Sequence, residues 1–206
     1  METEQTFPLN DTLRSIEQRR SVRVFLDKPV PQEYIRAVLR AANQAPSAHN
    51  QQSWRFIVVS GGKKDELARL VSARAGNFSR PATALLRMAA RSIDSAPVVI
   101  AVANTGQLIA HGTELFKVGA EEAHDFFRTM EIQNSAAAAE NLLVAATSLG
   151  LATVWLGILY LIKDEVLHFL GEPKGEFMAV IPIGYAARMS SGPAKVPLEQ
   201  VVRRLQ

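Results

Sequence analysis

Apolar residues recur three or four positions apart in several stretches of the chain, and this spacing is typical of amphipathic helices. The pattern is clearest over 31–42 and over 121–149, where helix-forming residues run almost without interruption up to a glycine. A first helix is predicted after the capping residue Asn10, with Leu13 and Ile16 on its inner face. Further helices are predicted over 63–74, 81–91 and 163–170.

Short runs of β-branched and other apolar residues predict a sheet between these helices. The run 97–102 is apolar at every position, which indicates a strand with both faces covered. The predicted strands are 22–25, 54–59, 97–102 and 177–183. Helices packed around a small mixed sheet place the chain in the α+β class.

The composition restricts the chemistry open to the chain. There is no cysteine among the 206 residues, which excludes disulfides, thiolate metal ligands and a cysteine nucleophile. Redox chemistry, if the chain performs it, must therefore come from a cofactor. The formal net charge is only +3 and the basic residues are scattered, which argues against nucleic acid as a partner. With 48% hydrophobic residues, the chain can bury the core of one domain.

The N-terminus and the apolar runs argue against a membrane as a partner. Residues 1–7 include Glu2 and Glu4 and have no apolar core, unlike an ordinary secretory signal. The longest apolar stretch, 96–103, is too short to span a bilayer. We therefore expect a cytoplasmic protein.

A cluster of arginines lies at the predicted junction between the first helix and the first strand. Guanidinium groups bind phosphate through paired hydrogen bonds, and a hydroxyl adds a short one, so this segment could hold a phosphate. Taken alone, it is more typical of a solvated basic turn, since basic helix ends are common. The segment reads Arg19-Arg20-Ser21-Val22-Arg23.

Two further segments carry groups that suit a planar polar ligand. The loop 45–54 is rich in Ser, Asn and Gln, which can bond ribityl hydroxyls, although a hydrogen-bonded turn would look the same. We expect its Trp54 in the core. The segment 149–157 follows the long helix and contains an aromatic residue and then a glycine. Because glycine has no side chain, a planar ligand can approach the backbone closely there. By itself this segment is better explained as a helix C-cap followed by a strand.

In this order and spacing, the three segments resemble the nitroreductase family of flavoproteins. That family carries Arg-Arg-Ser-x-Arg, then Ala-Pro-Ser-x-x-Asn-x-Gln-Pro-Trp, then Gly-Leu-x-Thr-x-Trp-x-Gly after a long helix. Its closing pattern is matched by Ile-Pro-Ile-Gly-Tyr at 181–185 and Lys-Val-Pro-Leu at 195–198. The likeness extends over 13–202. Ser53 stands where the family has proline, and Lys195 where it has arginine.

The resemblance implies a three-layer α-β-α fold with a central mixed, mostly antiparallel sheet. Residues 1–206 would form one FMN-binding domain in a domain-exchanged homodimer, with FMN at each of two interface sites. The segment 105–130 would be a lid over the acceptor, and 187–206 a tail packed on the partner subunit.

The family's functional positions map onto this sequence in two groups. Arg19, Ser21 and Lys195 would hold the FMN phosphate, with Arg20 contributing through its backbone or side chain. Arg23 would stabilise the reduced flavin by its positive charge. The remaining contacts would come from Pro46, Ser47, Ala48 and Asn50 of the other subunit, from Gln133 in the long helix, and from Trp155, Leu156 and Gly157 beside the ring.

The implied function is electron transfer from NADH or NADPH to a small organic acceptor, such as a nitroaromatic or a quinone, in alternating half-reactions. The flavin performs the chemistry, so no catalytic side chain and no metal are expected. Nothing in the sequence selects between NADH and NADPH, since no Gly-x-Gly-x-x-Gly follows a strand. The lid contains Phe116, Phe126 and Phe127, which could stack on a planar substrate, although we expect at least one of them in the core. It also contains His111 and His124, either of which could donate a proton.

Other activities fit the same motifs. Some relatives dehalogenate aromatics with Tyr, Glu and Lys in the lid; Glu114, Lys117 and Glu121 are present here, but no tyrosine lies between 105 and 130. A flavin-cleaving enzyme, a non-catalytic FMN-binding protein and a simple anion-binding module are the remaining alternatives.

Overall fold

Four antiparallel strands form one sheet in the order β1-β2-β4-β3. The structure is a computed structural model, and it describes residues 10–117, 119–188 and 191–205. The strands are β1 (Trp54–Ser60), β2 (Val98–Asn104), β3 (Ala152–Thr153) and β4 (Glu176–Gly184).

Strand β2 lies at the centre of the sheet because both of its faces are apolar. Val99 and Ala101 point into one hydrophobic cluster, whereas Ile100 and Val102 point into another on the opposite face. This confirms the two-sided burial that the apolar run predicts. β2 pairs with β1 on one side and with β4 on the other, so every backbone group of its run can find a partner.

Helices cover both faces of this sheet. On one face lie α3 (Gly61–Arg74), α4 (Arg80–Ser95) and α7 (Lys163–Phe169). On the other lie α2 (Gln32–Asn43) and the long α6 (Ala120–Ser148). The predicted three-layer α-β-α architecture is confirmed. Three shorter helices complete the chain: α1 (Asp11–Gln18), α5 (Gln107–Phe116) and α8 (Leu198–Val201).

Two details differ from the sequence expectation. The segment 22–25 is not a strand; it makes only isolated bridges, from Ser21 to Thr153 in parallel and from Phe25 to Ala186 in antiparallel sense. Within the described residues, parallel pairing is thus limited to one bridge, because the segment touches the sheet edge at single points. In α1, Leu13 and Ile16 are about half exposed at 45% and 50%, and Ser15 is the buried residue. The apolar side of α1 therefore faces away from its own chain.

Gly184, the last residue of β4, is required by close packing. A Cβ added there would lie 2.6 Å from Cδ of Pro97 and 3.3 Å from Cδ1 of Phe25. We expect Gly184→Ala to lower the free energy of unfolding by about 1–3 kcal/mol, as overpacking does, measured by chemical denaturation. Gly62→Ala is the control, because its Cβ would meet open space in the described part of the chain and alanine favours α3. Equal stability of the two variants would contradict this packing.

Candidate functional site

A cationic cleft of about 610 Å³ lies between the end of α1 and the C-terminal tail. The structure brings together in it the four residues predicted to bind the FMN phosphate, Arg19, Arg20, Ser21 and Lys195, and also Arg23, which was predicted to lie near the pyrimidine edge of the flavin. Glu17 and Glu140 are the acidic residues of its lining, so cationic side chains outnumber anionic ones. The cleft has the charge and the size to hold a phosphorylated ligand.

Backbone hydrogen bonds fix the arginine segment to the sheet edge. The N–H of Val22 donates to the carbonyl of Thr153 at 2.9 Å, and the N–H of Leu26 donates to the carbonyl of Tyr185 at 2.9 Å. With Val22 buried, Ser21 and Arg23 on either side of it are exposed. The segment therefore presents its polar side chains on a rigid edge beside β3.

The first two arginines of the segment interact with different kinds of group. Arg19 Nε lies 3.5 Å from Glu140 Oε1 in a partly exposed ion pair, which contributes at most about 1 kcal/mol and can yield to a ligand. The Arg20 guanidinium instead donates to backbone carbonyls, at 2.8 Å to Ser191, 2.7 Å to Glu17 and 2.8 Å to Arg19. Arg20 thus ties the tail to α1, and this attachment holds Lys195 at the cleft.

The loop 46–53 has a constrained backbone. His49, Asn50 and Gln52 have φ of 52°, 53° and 47°, a left-handed conformation that costs a non-glycine residue about 1 kcal/mol or more. Ser47 holds this shape, since its carbonyl accepts from Asn50 N at 3.0 Å and its Oγ from Gln52 N at 3.1 Å. As expected, the following Trp54 is buried in the core.

The loop lies against α6 and outside the cationic cleft. Ala48 N donates to Asn134 Oδ1 at 3.4 Å, near the middle of that helix. Gln133 is exposed on α6, and Glu140, the partner of Arg19, follows seven positions later on the same side. Asn134 and Glu140 are separated by about 9 Å along the helix. Pro46, Ser47, Ala48, Asn50 and Gln133 are absent from the described lining of the cleft.

Of the three residues of the third segment that were predicted to lie beside the ring, Gly157 alone is exposed. The Leu156 side chain is buried and its N–H donates to the carbonyl of Val180 at 2.9 Å, while Trp155 is partly buried against the α2–α6 side of the core. Gly157 is exposed at the first position of a 3₁₀ helix, Gly157–Ile162. Because the first N–H groups of a helix have no partner within it, Gly157 offers the most accessible backbone donor of the three.

The lid segment forms α5 and the start of α6, except that residue 118 lies outside the described residues. Phe127 is fully buried, which confirms that at least one lid aromatic belongs to the core, whereas Phe116 and Phe126 are about half exposed. The ring of His49 lies 5.5 Å from that of His111 and 5.7 Å from that of Phe116. The lid and the loop 46–53 are therefore in contact.

Glu131 is a residue that the sequence reading missed. It is completely buried on α6, and its Oε1 accepts from Leu108 N at 2.8 Å. Burial raises the pKa of this carboxyl, opposed by the N–H of Leu108 and by the Ser53 hydroxyl, which is close but does not reach hydrogen-bonding geometry. The available signal was a carboxylate four residues after Phe127, on the same side of the helix as that buried ring.

Comparison with known proteins agrees with the fold. Residues 16–185 match the nitroreductase family, and the chain belongs to it. A Methanothermobacter thermautotrophicus protein named as a candidate NADH dehydrogenase/NAD(P)H nitroreductase is 32% identical, covering 86% of this chain and 78% of its own. The FMN reductase [NAD(P)H] of Bacillus subtilis is 29% identical over 94% and 73%. A candidate nitroreductase of Desulfovibrio desulfuricans, solved with FMN, is 27% identical with a TM-score of 0.73 over 97% and 99%.

Within the described residues, every helix is too short or too polar to cross a membrane.

The buried carboxyl of Glu131 predicts a pH-dependent difference in stability. Because its pKa is raised by folding, its favourable contribution is complete below the unfolded pKa, near 4.5, and is lost as the pH rises through the folded pKa. Relative to Glu131→Gln, the wild type should therefore lose stability as the pH rises from about 4.5 towards neutrality, measured by urea denaturation. Glu33→Gln, an exposed change on α2, is the control. A difference that stays constant with pH would contradict the assignment.

Proposed function

We propose that this chain is an FMN-dependent oxidoreductase that takes electrons from NADH or NADPH and passes them to a small organic acceptor. The observation that carries the proposal is the cleft in which the Arg19–Arg23 segment and Lys195 converge. When bound, FMN supplies the redox chemistry that a chain without cysteine lacks. Nitroaromatics and quinones are the acceptors we expect, in alternating half-reactions.

The residues of the cleft fit a flavin mononucleotide. Arg19, Ser21 and Lys195 provide the charged and hydroxyl donors that a phosphate monoester requires. Lys195 acts as a point charge, without the paired bonds of an arginine. Arg23, on the same edge, would place a positive charge near the ring and favour its reduced form. Trp155, Leu156 and Gly157 lie outside the described lining of the cleft; in this proposal they would line the ring, with Gly157 supplying the backbone N–H.

We propose a homodimer as the working form. In the single chain, apolar side chains remain exposed on α1 and along the tail: Leu13, Ile16, Val196, Leu198, Val201, Val202 and Leu205. Exposed apolar surface of this extent marks an interface. The tail 187–206, of which residues 189–190 and 206 lie outside the described part, would cover the partner subunit.

The dimer also accounts for the separation of the loop from the cleft. Pro46, Ser47, Ala48 and Asn50 lie beside the middle of α6, together with Gln133, and do not line the cleft of their own chain. In the proposed assembly they complete the cleft of the partner. The lid 105–130, which contacts the same loop, then covers the acceptor side of that site. Residues 1–206 are proposed to form a single domain.

The direct test is the colour and reactivity of the purified protein. We expect bound FMN that NADH or NADPH bleaches under nitrogen, and that nitro or quinone acceptors then restore, followed by anaerobic stopped-flow absorbance. Bound FMN that neither nicotinamide bleaches would identify a non-catalytic flavin-binding protein. Release of halide from halogenated aromatics would indicate a dehalogenase. A preparation that takes up no FMN would refute the proposal.

Two arginine variants distinguish binding of the FMN phosphate from an effect on the reduction potential of the flavin ring. Loss of a charge-assisted hydrogen bond, about 1.5–3 kcal/mol, predicts that Arg19→Ala weakens FMN binding about 10- to 100-fold with little change in potential. Arg23→Ala should weaken binding and also lower the two-electron potential by about 30 mV per 1.4 kcal/mol of lost stabilisation. Fluorescence titration and potentiometry measure the two effects, with exposed Arg36→Ala on α2 as the control. Unchanged binding and potential in both variants would refute the placement of this segment.

The dimer proposal predicts that an aspartate in place of an exposed apolar residue of α1 separates the subunits. Leu13→Asp should convert a species of twice 22.5 kDa into monomers in sedimentation equilibrium. FMN should be lost as well, although Leu13 lies outside the described lining of the cleft. Leu85→Asp, at an equally exposed position on α4, serves as the control. A wild-type monomer that retains FMN would contradict the assembly.

A further inference from the structure

The buried carboxylate of Glu131 lies at the beginning of the lid helix α5. Its Oε1 accepts from the N–H of Leu108, the second residue of that helix, at 2.8 Å. Its other oxygen, Oε2, is buried and has no hydrogen-bond partner among the described residues. Glu131 lies on α6, so a residue distant in sequence holds the N-terminus of the lid.

The lid helix depends on this contact because it has no cap of its own. Gly106 precedes it with a left-handed φ of 76° and no side chain, and its first turn contains no acidic residue. The first N–H groups of a helix need acceptors, and the positive end of its dipole favours a nearby negative charge. In the described residues, Glu131 supplies an acceptor for one of these groups, the N–H of Leu108, and its carboxyl lies at the positive end of the helix.

The space around this contact would allow the helix to shift. A cavity of about 380 Å³ borders Gly106, Ile109 and Glu131. On the other side, α5 is packed against α6, where Gly112 lies so close to the Phe127 ring that a Cβ would overlap it. The position of α5 is therefore set by one buried polar contact at its start and one tight apolar contact further along.

The same region of α6 also holds the loop that we assign to the partner's FMN. Asn134, three residues after Glu131, accepts from Ala48 N at 3.4 Å. The Ser53 carbonyl accepts from Thr105 N at 2.9 Å, just before the lid begins. His49 lies against two residues of α5, as described above. The start of α5 and the loop therefore lie side by side on the same part of α6.

We propose that Glu131 is a positioning residue that fixes α5 over the acceptor site and thereby sets which acceptors can enter. This inference rests on the proposed function, because the acceptor site lies under α5 only in the assembly described above. Glu131 touches neither FMN nor acceptor in this scheme; it acts through the lid. Loss of its hold should admit larger acceptors and leave the reaction with the nicotinamide unchanged.

The test combines amide hydrogen exchange with acceptor kinetics. Glu131→Ala should raise the exchange rates of the amides at 108–112 at least tenfold. Glu131→Gln, which retains an oxygen acceptor, should raise them less. In Glu131→Ala, the ratio of kcat/KM for a bulky quinone to that for a small quinone should increase at least fivefold. FMN content and the rate of bleaching by NADH or NADPH should remain at the wild-type level, as they should in the control Glu33→Ala.

Gly112→Ala gives an independent variant with Glu131 intact. Its added methyl group would push α5 away from Phe127, so the same change in exchange and in acceptor ratio is expected even if Glu131→Ala fails to fold. Unchanged exchange at 108–112 in folded Glu131→Ala, or increased exchange with an unchanged acceptor ratio, would overturn the proposal. Protein that takes up no FMN would contradict the proposed function instead. The exchange measurement would still test whether Glu131 stabilises the N-terminal part of α5.

Discussion

The close approach of α6 to its neighbours is the contact on which the rest of the structure depends. This helix is 29 residues long and packs against the sheet and against α1, α2 and α5. Ala138 and Ala139 are fully buried near its middle, where small side chains let neighbouring backbones come close. The buried side of α6 that carries Ala138 also carries Glu131, seven positions earlier, which contacts the start of α5. The opposite side carries Gln133 and Glu140, which are exposed.

The elements that sequence predicts well are those that are buried within one chain. Strand β2 and helix α6 follow directly from continuous apolar character and from long helical periodicity, since local pattern and tertiary environment agree. The segment 22–25 has the alternation of a strand but pairs only at single points, because pairing depends on what lies beside it. Similarly, the periodicity of α1 identifies an apolar side without saying which surface covers it. Leu13 and Ile16 are consequently exposed where an inner face was expected.

The same distinction applies to the candidate site. The arginine segment and Lys195 lie far apart in sequence, and only the family pattern linked them before the structure placed both at one cleft. Residue type alone could not show that the Arg20 guanidinium is occupied by backbone carbonyls, or that the Leu156 N–H is used by β4. Glu131 escaped notice because the capping of α5 is a long-range interaction, between residues that are 23 positions apart. Long-range contacts of this kind have no local signature.

The attachment of the tail through Arg20 has a thermodynamic consequence. The guanidinium joins Ser191 to the end of α1, so the tail that would cover a partner and the cleft that would hold the phosphate belong to one structural unit. In the proposed assembly, association of the subunits and retention of the cofactor are then linked equilibria, each strengthening the other by the same free energy. The affinity for FMN would accordingly depend on protein concentration. Dilution alone could release FMN from the protein, and excess FMN could favour reassociation of the separated chains.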